Sequence, residues 1–125
     1  MSELFIDQSA QGLGLPQKGS ALLPGIDREW QDCGASGFWI KPLLQDTASP
    51  LRTWLMKVDA GAFSEMHAHE EIEQIYVLEG SFYDQDHHYQ AGDYIVRAAG
   101  AMHTAGSKDG AIVLLFYSES AESVG

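Results

Sequence analysis

A chain of 125 residues, 45% apolar and 20% charged, suits one globular domain and can bury a core without disulfide or metal staples. Its 18 acidic and 7 basic residues give a net charge of −11, which repels phosphate backbones and anionic lipid headgroups and so argues against nucleic acid and membrane surfaces as partners. The single cysteine, Cys33, allows neither an intrachain disulfide nor a thiolate zinc cluster.

The N-terminal residues lack the basic start and apolar stretch of a secretion leader, and no apolar run approaches the ~20 residues of a membrane span. With the lone cysteine, this points to the cytoplasm. Residues 1–25, rich in Gln, Gly, Ser and Pro, read as an irregular arm, residues 26–118 as the folded domain and residues 119–125 as a tail. Ile26–Asp32 is long enough for one helical turn and no more. From Gly37 onward the pattern is β. Phe38–Leu44 is strand-like, with Pro42 marking an edge or a bulge. Leu51–Val58 is a second run, ended by Asp59 to Gly61. Glu73–Leu78 is a third, ended by Glu79 and Gly80. Ser81–Tyr83 and His88–Tyr89 flank an acidic turn in a hairpin. Tyr94–Arg97 follows the turn signal Gly92 and Asp93. Ala111–Tyr117 is a continuous apolar run, predicted to be buried on both faces. Seven to nine short strands, with 13 glycines among them, describe an all-β sandwich or barrel.

One stretch carries chemistry. His67, His69 and Glu73 lie within seven residues. On an extended strand, side chains two apart share a face at roughly 6–7 Å spacing, so the two imidazoles can meet at one ion, and Glu73 keeps the same parity. His103 can join them only if barrel closure brings its strand across. Three histidines and a carboxylate, without thiolate, suit iron, manganese, nickel, copper or zinc. By itself a His-x-His pair is more often a surface feature than a ligand pair, and the spacing alone leaves the two readings even. Other residues read as structural. His87 and His88 belong to an exposed turn, Glu70 and Glu71 to a solvated rim, and Tyr76 points away from the His–Glu face. Phe38, Ile40, Trp54, Met56, Leu114 and Phe116 are core candidates, and Cys33 has no assigned role.

The spacing resembles the cupin superfamily. Its first motif, Gly-x5-His-x-His-x3-Glu-x6-Gly, falls on Gly61, His67, His69, Glu73 and Gly80 without deviation. Its second, Gly-x5-Pro-x-Gly-x2-His-x3-Asn, falls on Gly92, Ala98, Gly100, His103 and Ser107, with Ala98 and Ser107 replacing the proline and asparagine. The resemblance implies a double-stranded β-helix (jelly-roll) barrel holding one divalent metal ion, Fe2+ or Zn2+ first and Mn2+, Ni2+ or Cu2+ as alternatives, through His67, His69, Glu73 and His103. The two departures fall at non-ligand positions.

A closer likeness, over about Leu23–Ser118, is to the cupin domain of ChrR-type anti-sigma factors and its stand-alone relatives. It rests on Val77–Phe82, Tyr89–Tyr94, His103, Ser107–Gly110, Trp30 and Lys41–Leu44. Those factors grip their sigma factor with an additional helical zinc domain, for which 125 residues leave no room, so sigma binding is not implied. The stand-alone relatives are likened to acetylacetone-cleaving dioxygenases. This implies a non-haem metal dioxygenase acting on a small organic molecule such as a β-dicarbonyl or related ketone. The alternatives are a zinc-loaded sensor or regulatory cupin without turnover, and a metal-assisted isomerase or hydrolase. The family also implies a homodimer, paired through sheet edges or swapped N-terminal arms.

Overall fold

The computed structural model describes residues 12–25 and 28–120. Among these the regular elements are all strands: β1 (Gln31–Asp32), β2 (Phe38–Gln45), β3 (Arg52–Val58), β4 (Phe63–His67), β5 (Ile72–Tyr83), β6 (His88–Gln90), β7 (Tyr94–Arg97), β8 (His103–Gly106) and β9 (Ala111–Ser118). They pair antiparallel in the order β1-β2-β3-β9-β5-β8-β4, with β6 and β7 also on β5. The all-β jelly-roll expectation holds. Residues 1–11 of the proposed N-terminal arm lie outside the described residues, as do Ile26 and Asp27 of the suggested helical turn. The last residues of that turn, Gln31 and Asp32, form β1 instead. Leu13 reaches the free side of β2, where its amide donates to Leu43 O and its carbonyl accepts from Gln45 N.

β2 follows the sequence reading, and the register shift between Pro42 and Leu44 is the bulge that Pro42 announces. β5 does not. Instead of ending at Glu79 and Gly80, it runs twelve residues to Tyr83. Its first half pairs with β9 and β7, and its second half with β6 and, at Tyr83, with β8. The strand bulges at Leu78, just before the Glu-Gly pair, as the register shift between Val77 and Glu79 shows. Gly80 there has φ +74, a region costly to any residue with a Cβ, and a Cβ would fall 2.0 Å from Gly110 O. Glycine is therefore required here for a bend within a strand, not for its end.

The core is a single cluster contributed by both halves of the fold: Phe38, Val58, Ile75, Val77, Phe82, Val113, Leu115 and Tyr117. The expectation that β9 is buried on both faces is corrected. Ala111, Val113, Leu115 and Tyr117 point inward, whereas Ile112, Leu114 and Phe116 face outward with the period of two that a sheet imposes. Leu114 and Phe116 are thus not core. With Gln74, Tyr76 and Tyr94 they line a shallow apolar groove on the outside of the sheet.

Gly80→Ala combines the positive-φ cost with a backbone clash, so it should lose at least about 2 kcal/mol of unfolding free energy in urea titration. Gly92→Ala, also at positive φ but with nothing within 4 Å of its Cβ, should lose only about 1 kcal/mol.

Candidate metal centre

A cavity of about 180 Å³ opens between the two halves of the fold. Its wall is mostly apolar, with Phe38, Ile40, Trp54, Met56, Ile75 and Leu115 prominent, and His67, His69, Glu73, Arg97, His103 and Tyr117 are its main polar groups. Ile40, Trp54 and Met56, expected as core, thus serve as cavity wall.

His67 and His103 are cross-strand partners on β4 and β8, with ring centroids 4.3 Å apart. His69 lies just past the end of β4, so it does not share a strand face with His67 as the spacing suggested. The chain turns away there, and the amide of Gly100 donates to His69 O at 2.7 Å, anchoring this residue to the loop before β8. Its ring nonetheless stays 5.2 Å from that of His67. One donor atom from each of the three histidines lies within 4.8 Å of the others. Nitrogens on one ion at ~2.1 Å stand ~3–4 Å apart, so little closure is needed.

Glu73 arrives differently from the expectation of a continuous extended chain. A bend at Glu70 and Glu71 separates β4 from β5, and Glu73 enters from the second sheet half, opposite Tyr117 and Arg97. Its Oε1 lies 3.5 Å from His103 Nε2 and its Oε2 3.8 Å from His69 Nε2. Oε2 accepts from the Tyr117 hydroxyl at 2.6 Å, and Oε1 forms an ion pair with Arg97 Nε at 3.2 Å. All four predicted residues converge, with the histidines as a close trio and Glu73 beside them. Tyr76, His87 and His88 are exposed, as read, and Glu71 pairs with Arg52 at 3.6 Å on the rim.

The donors fit a cation. His67 Nδ1 contacts Glu65 O at 2.8 Å; a carbonyl only accepts, so Nδ1 carries the proton and Nε2 is left with its lone pair. Both ring nitrogens of His103 and Oε1 of Glu73 are buried without a hydrogen-bond partner. Buried polar atoms left this way are costly, and a shared ion would satisfy Glu73 Oε1 and one nitrogen of His103.

Three residues that sequence reasoning missed hold this arrangement. Buried Asp84 accepts from the amides of Asp86 and His87, from the Tyr89 hydroxyl and from Arg97 Nη1. Arg97 thereby joins Asp84 to Glu73. Gln85 accepts from the Thr104 amide at 2.8 Å and donates to Met102 O at 3.2 Å, bracketing His103 on both sides. In the sequence Asp84 and Gln85 lie in an acidic turn that reads as solvated, and Arg97 ends a short strand.

The sequence profile of the ChrR cupin-like domain family matches residues 20–121. The chain belongs to this cupin family. Among solved structures it is similar to an RmlC-like cupin from Shewanella frigidimarina, at 25% identity and TM-score 0.70, covering 88% of this chain and all of that one. An RmlC-like cupin from Ralstonia eutropha gives 21% identity and TM-score 0.72 over 81% of this chain and 69% of its own. The complex of Rhodobacter sphaeroides SigE with the anti-sigma ChrR gives 24% identity and TM-score 0.63 over 75% of this chain and 51% of that one. No curated protein matches.

Both departures from the cupin motifs have a structural account. Ser107, in place of asparagine, is fully buried; its hydroxyl donates to Ser81 O at 2.6 Å and accepts from the Gly110 amide at 2.8 Å, tying the β8–β9 turn to the bulge of β5. Ala98, in place of proline, closes its turn through its carbonyl, which accepts from the Ala101 amide.

The electrostatics suit metal ligation by neutral imidazoles. Burial lowers the His103 pKa to about 4, with the Arg97 charge adding to the effect, and burial also lowers that of His69. Burial and the Glu73 carboxylate push the Tyr117 phenol up, keeping it a donor. Burial alone would raise the Asp84 pKa, but its four hydrogen bonds outweigh that and hold it at about 2. A carboxyl depressed below its unfolded value contributes stability that is full above pH ~4 and lost as pH falls toward 2. Asp84→Asn should therefore cost about 2 kcal/mol at pH 6 in urea unfolding, and the difference from the parent should close by pH 2.

Proposed function

We propose that the chain is a mononuclear non-haem metal dioxygenase of the cupin type, acting on a small organic molecule such as a β-dicarbonyl or related ketone. One divalent ion would be held by His67, His69, His103 and Glu73. The observation that carries the reading is a trio of imidazoles, two of them kept neutral by burial, facing a mostly apolar cavity. Imidazole and carboxylate donors suit Fe2+ or Zn2+, and also Mn2+, Ni2+ or Cu2+. Fe2+ bound there supplies Lewis acidity and one-electron chemistry toward dioxygen.

The chain's own residues do the rest. Tyr117 and Arg97 fix the Glu73 carboxylate. The apolar wall excludes bulk water, which strengthens the electrostatic contacts inside. At about 180 Å³ the cavity holds about six water-sized groups, which restricts the ligand to a small molecule. The alternative is a zinc-binding sensor or regulatory cupin without turnover, supported by membership of the ChrR cupin-like family.

Protein purified without added metal should contain about one ion per chain. After iron loading it should consume oxygen with a β-dicarbonyl, and His103→Ala should lose both metal and uptake. Tightly held zinc, with no uptake after iron exchange across a panel of β-dicarbonyls and hydroxyaryl ketones, would instead establish the sensor.

We also propose a homodimer, in the cytoplasm. Its support is the outer sheet face, where Tyr76, Tyr94, Val96 and Phe116 are exposed side by side without a charge, on a chain whose net charge is −11. Stacking two such faces buries aromatic surface while keeping the repelling carboxylates apart. Light scattering should give twice the chain mass, and Val96→Glu should return it to one chain.

A further inference from the structure

The outer face of the sheet is self-complementary about one strand. Across β3, β9 and β5 three rows of side chains alternate with Trp54, Met56, Ile75 and Leu115, which line the cavity, and so point away from it. The rows are Lys57, Ile112 and Glu79; Leu55, Leu114 and Tyr76; and Thr53, Phe116 and Gln74. β9 is the middle strand of all three. The residues flanking it match in kind: an ammonium and a carboxylate, an aliphatic chain and an aromatic ring, a hydroxyl and an amide.

Lys57 and Glu79 carry the only charges in these rows. Ile112 separates them within one copy, and among the described residues neither forms an ion pair. Lys57 Nζ lies instead over the rings of Trp30 and Trp39, 5.4 and 5.6 Å from their centroids. The groove that Lys57, Ile112 and Glu79 line also holds Asp59 and Asp109, both in turns past the strand ends, and Asp59 already accepts from Trp39 Nε1 at 3.1 Å. Stacked sheets keep their strands within about 30° of each other, so a two-fold axis between two such faces runs either along the strands or across them. Across them, it brings Lys57 over the partner's Thr53 and Glu79 over the partner's Gln74, covering both charges unpaired, which is costly. Along β9, it keeps each row in register and exchanges the sides, so Lys57 meets the partner's Glu79 and the reciprocal pair forms with it.

We propose that two copies of the chain stack about a two-fold axis along β9, with the Lys57–Glu79 pair formed twice and Ile112, Leu114 and Phe116 each facing itself. This rests on the face-stacked homodimer above and deepens it by fixing how one copy is turned on the other. The aromatic and aliphatic rows supply the buried area, and the two charge pairs at its margin set the orientation. Both cavities then lie on the far sides of the joined sheets, and neither Lys57 nor Glu79 lines one.

The test uses the full-length chain at low ionic strength, with light scattering and native mass spectrometry. Lys57→Glu and Glu79→Lys each turn two attractive contacts into two repulsive ones and should raise the dimer dissociation constant about tenfold or more. Mixing the two variants should yield dimers containing one chain of each, because both contacts are then attractive again. The double variant Lys57→Glu/Glu79→Lys should pair with itself for the same reason. Added salt should weaken the parent dimer and narrow its difference from the single variants. Glu79 is exposed, so Glu79→Lys reads the contact on its own should Lys57→Glu fail to fold. Folded single variants that dimerise as tightly as the parent, or folded variants that do not combine on mixing, would overturn this arrangement while leaving the stacked face, which Val96→Glu tests separately. A monomeric parent, its face left to some other protein, would overturn both readings.

Discussion

A single strand must belong to two sheet halves at once, and the bend formed by the bulge at Leu78 and the positive φ of Gly80 makes that possible. Before it, β5 pairs with β9 and β7 and carries Glu73; after it, β5 pairs with β6 and β8 and leads directly into Asp84. The approach of Gly80 to Gly110 O allows no side chain, and Ser107 fastens the same spot by binding Ser81 O and the Gly110 amide. Because the bend falls between Glu73 and Asp84, both carboxylates come within reach of Arg97. The cavity, the ion pairs and the histidine trio all sit inside the fold that this bend closes.

Buried charge shapes the centre as much as the donor atoms do. Removing a carboxylate from water is costly unless other groups replace the lost hydration. Asp84 has four hydrogen bonds to do so, and Glu73 has Tyr117 and Arg97. His69 and His103 are left without comparable compensation, so burial favours their uncharged rings. These are two responses to one low-dielectric interior. Asp84 stays ionised because donors face it, and His69 and His103 are driven toward neutrality by burial.

Much of this was legible in the sequence, and the limits have physical causes. His67, His69, Glu73 and His103 could be named because the two cupin motifs record positions that barrel closure brings together. Their geometry was less accessible. The equal parity of His69 and Glu73 suggested one extended face, but the chain turns at Glu70 and Glu71, and the two residues reach the cavity from different strands. β9 was misread because a continuous apolar run cannot reveal whether its second face meets protein or solvent. Asp84 and Gln85 went unassigned because a polar residue in a turn looks the same in sequence whether it is solvated or folded inward, and Arg97 because a charged residue at a strand end is equally ambiguous.

The grip of Gln85 on Thr104 and Met102 constrains how the molecule can vary. The tip of the β5–β6 hairpin is a surface turn, ordinarily a place where chains accept insertions. Here its length is coupled to the backbone on either side of His103, and one added residue would carry the Gln85 amide out of reach. Loop grafts or fusion points belong elsewhere, at the Asp46–Pro50 turn for instance, where, among the described residues, Ser49 bonds to its own turn, through Asp46 and the Leu51 amide.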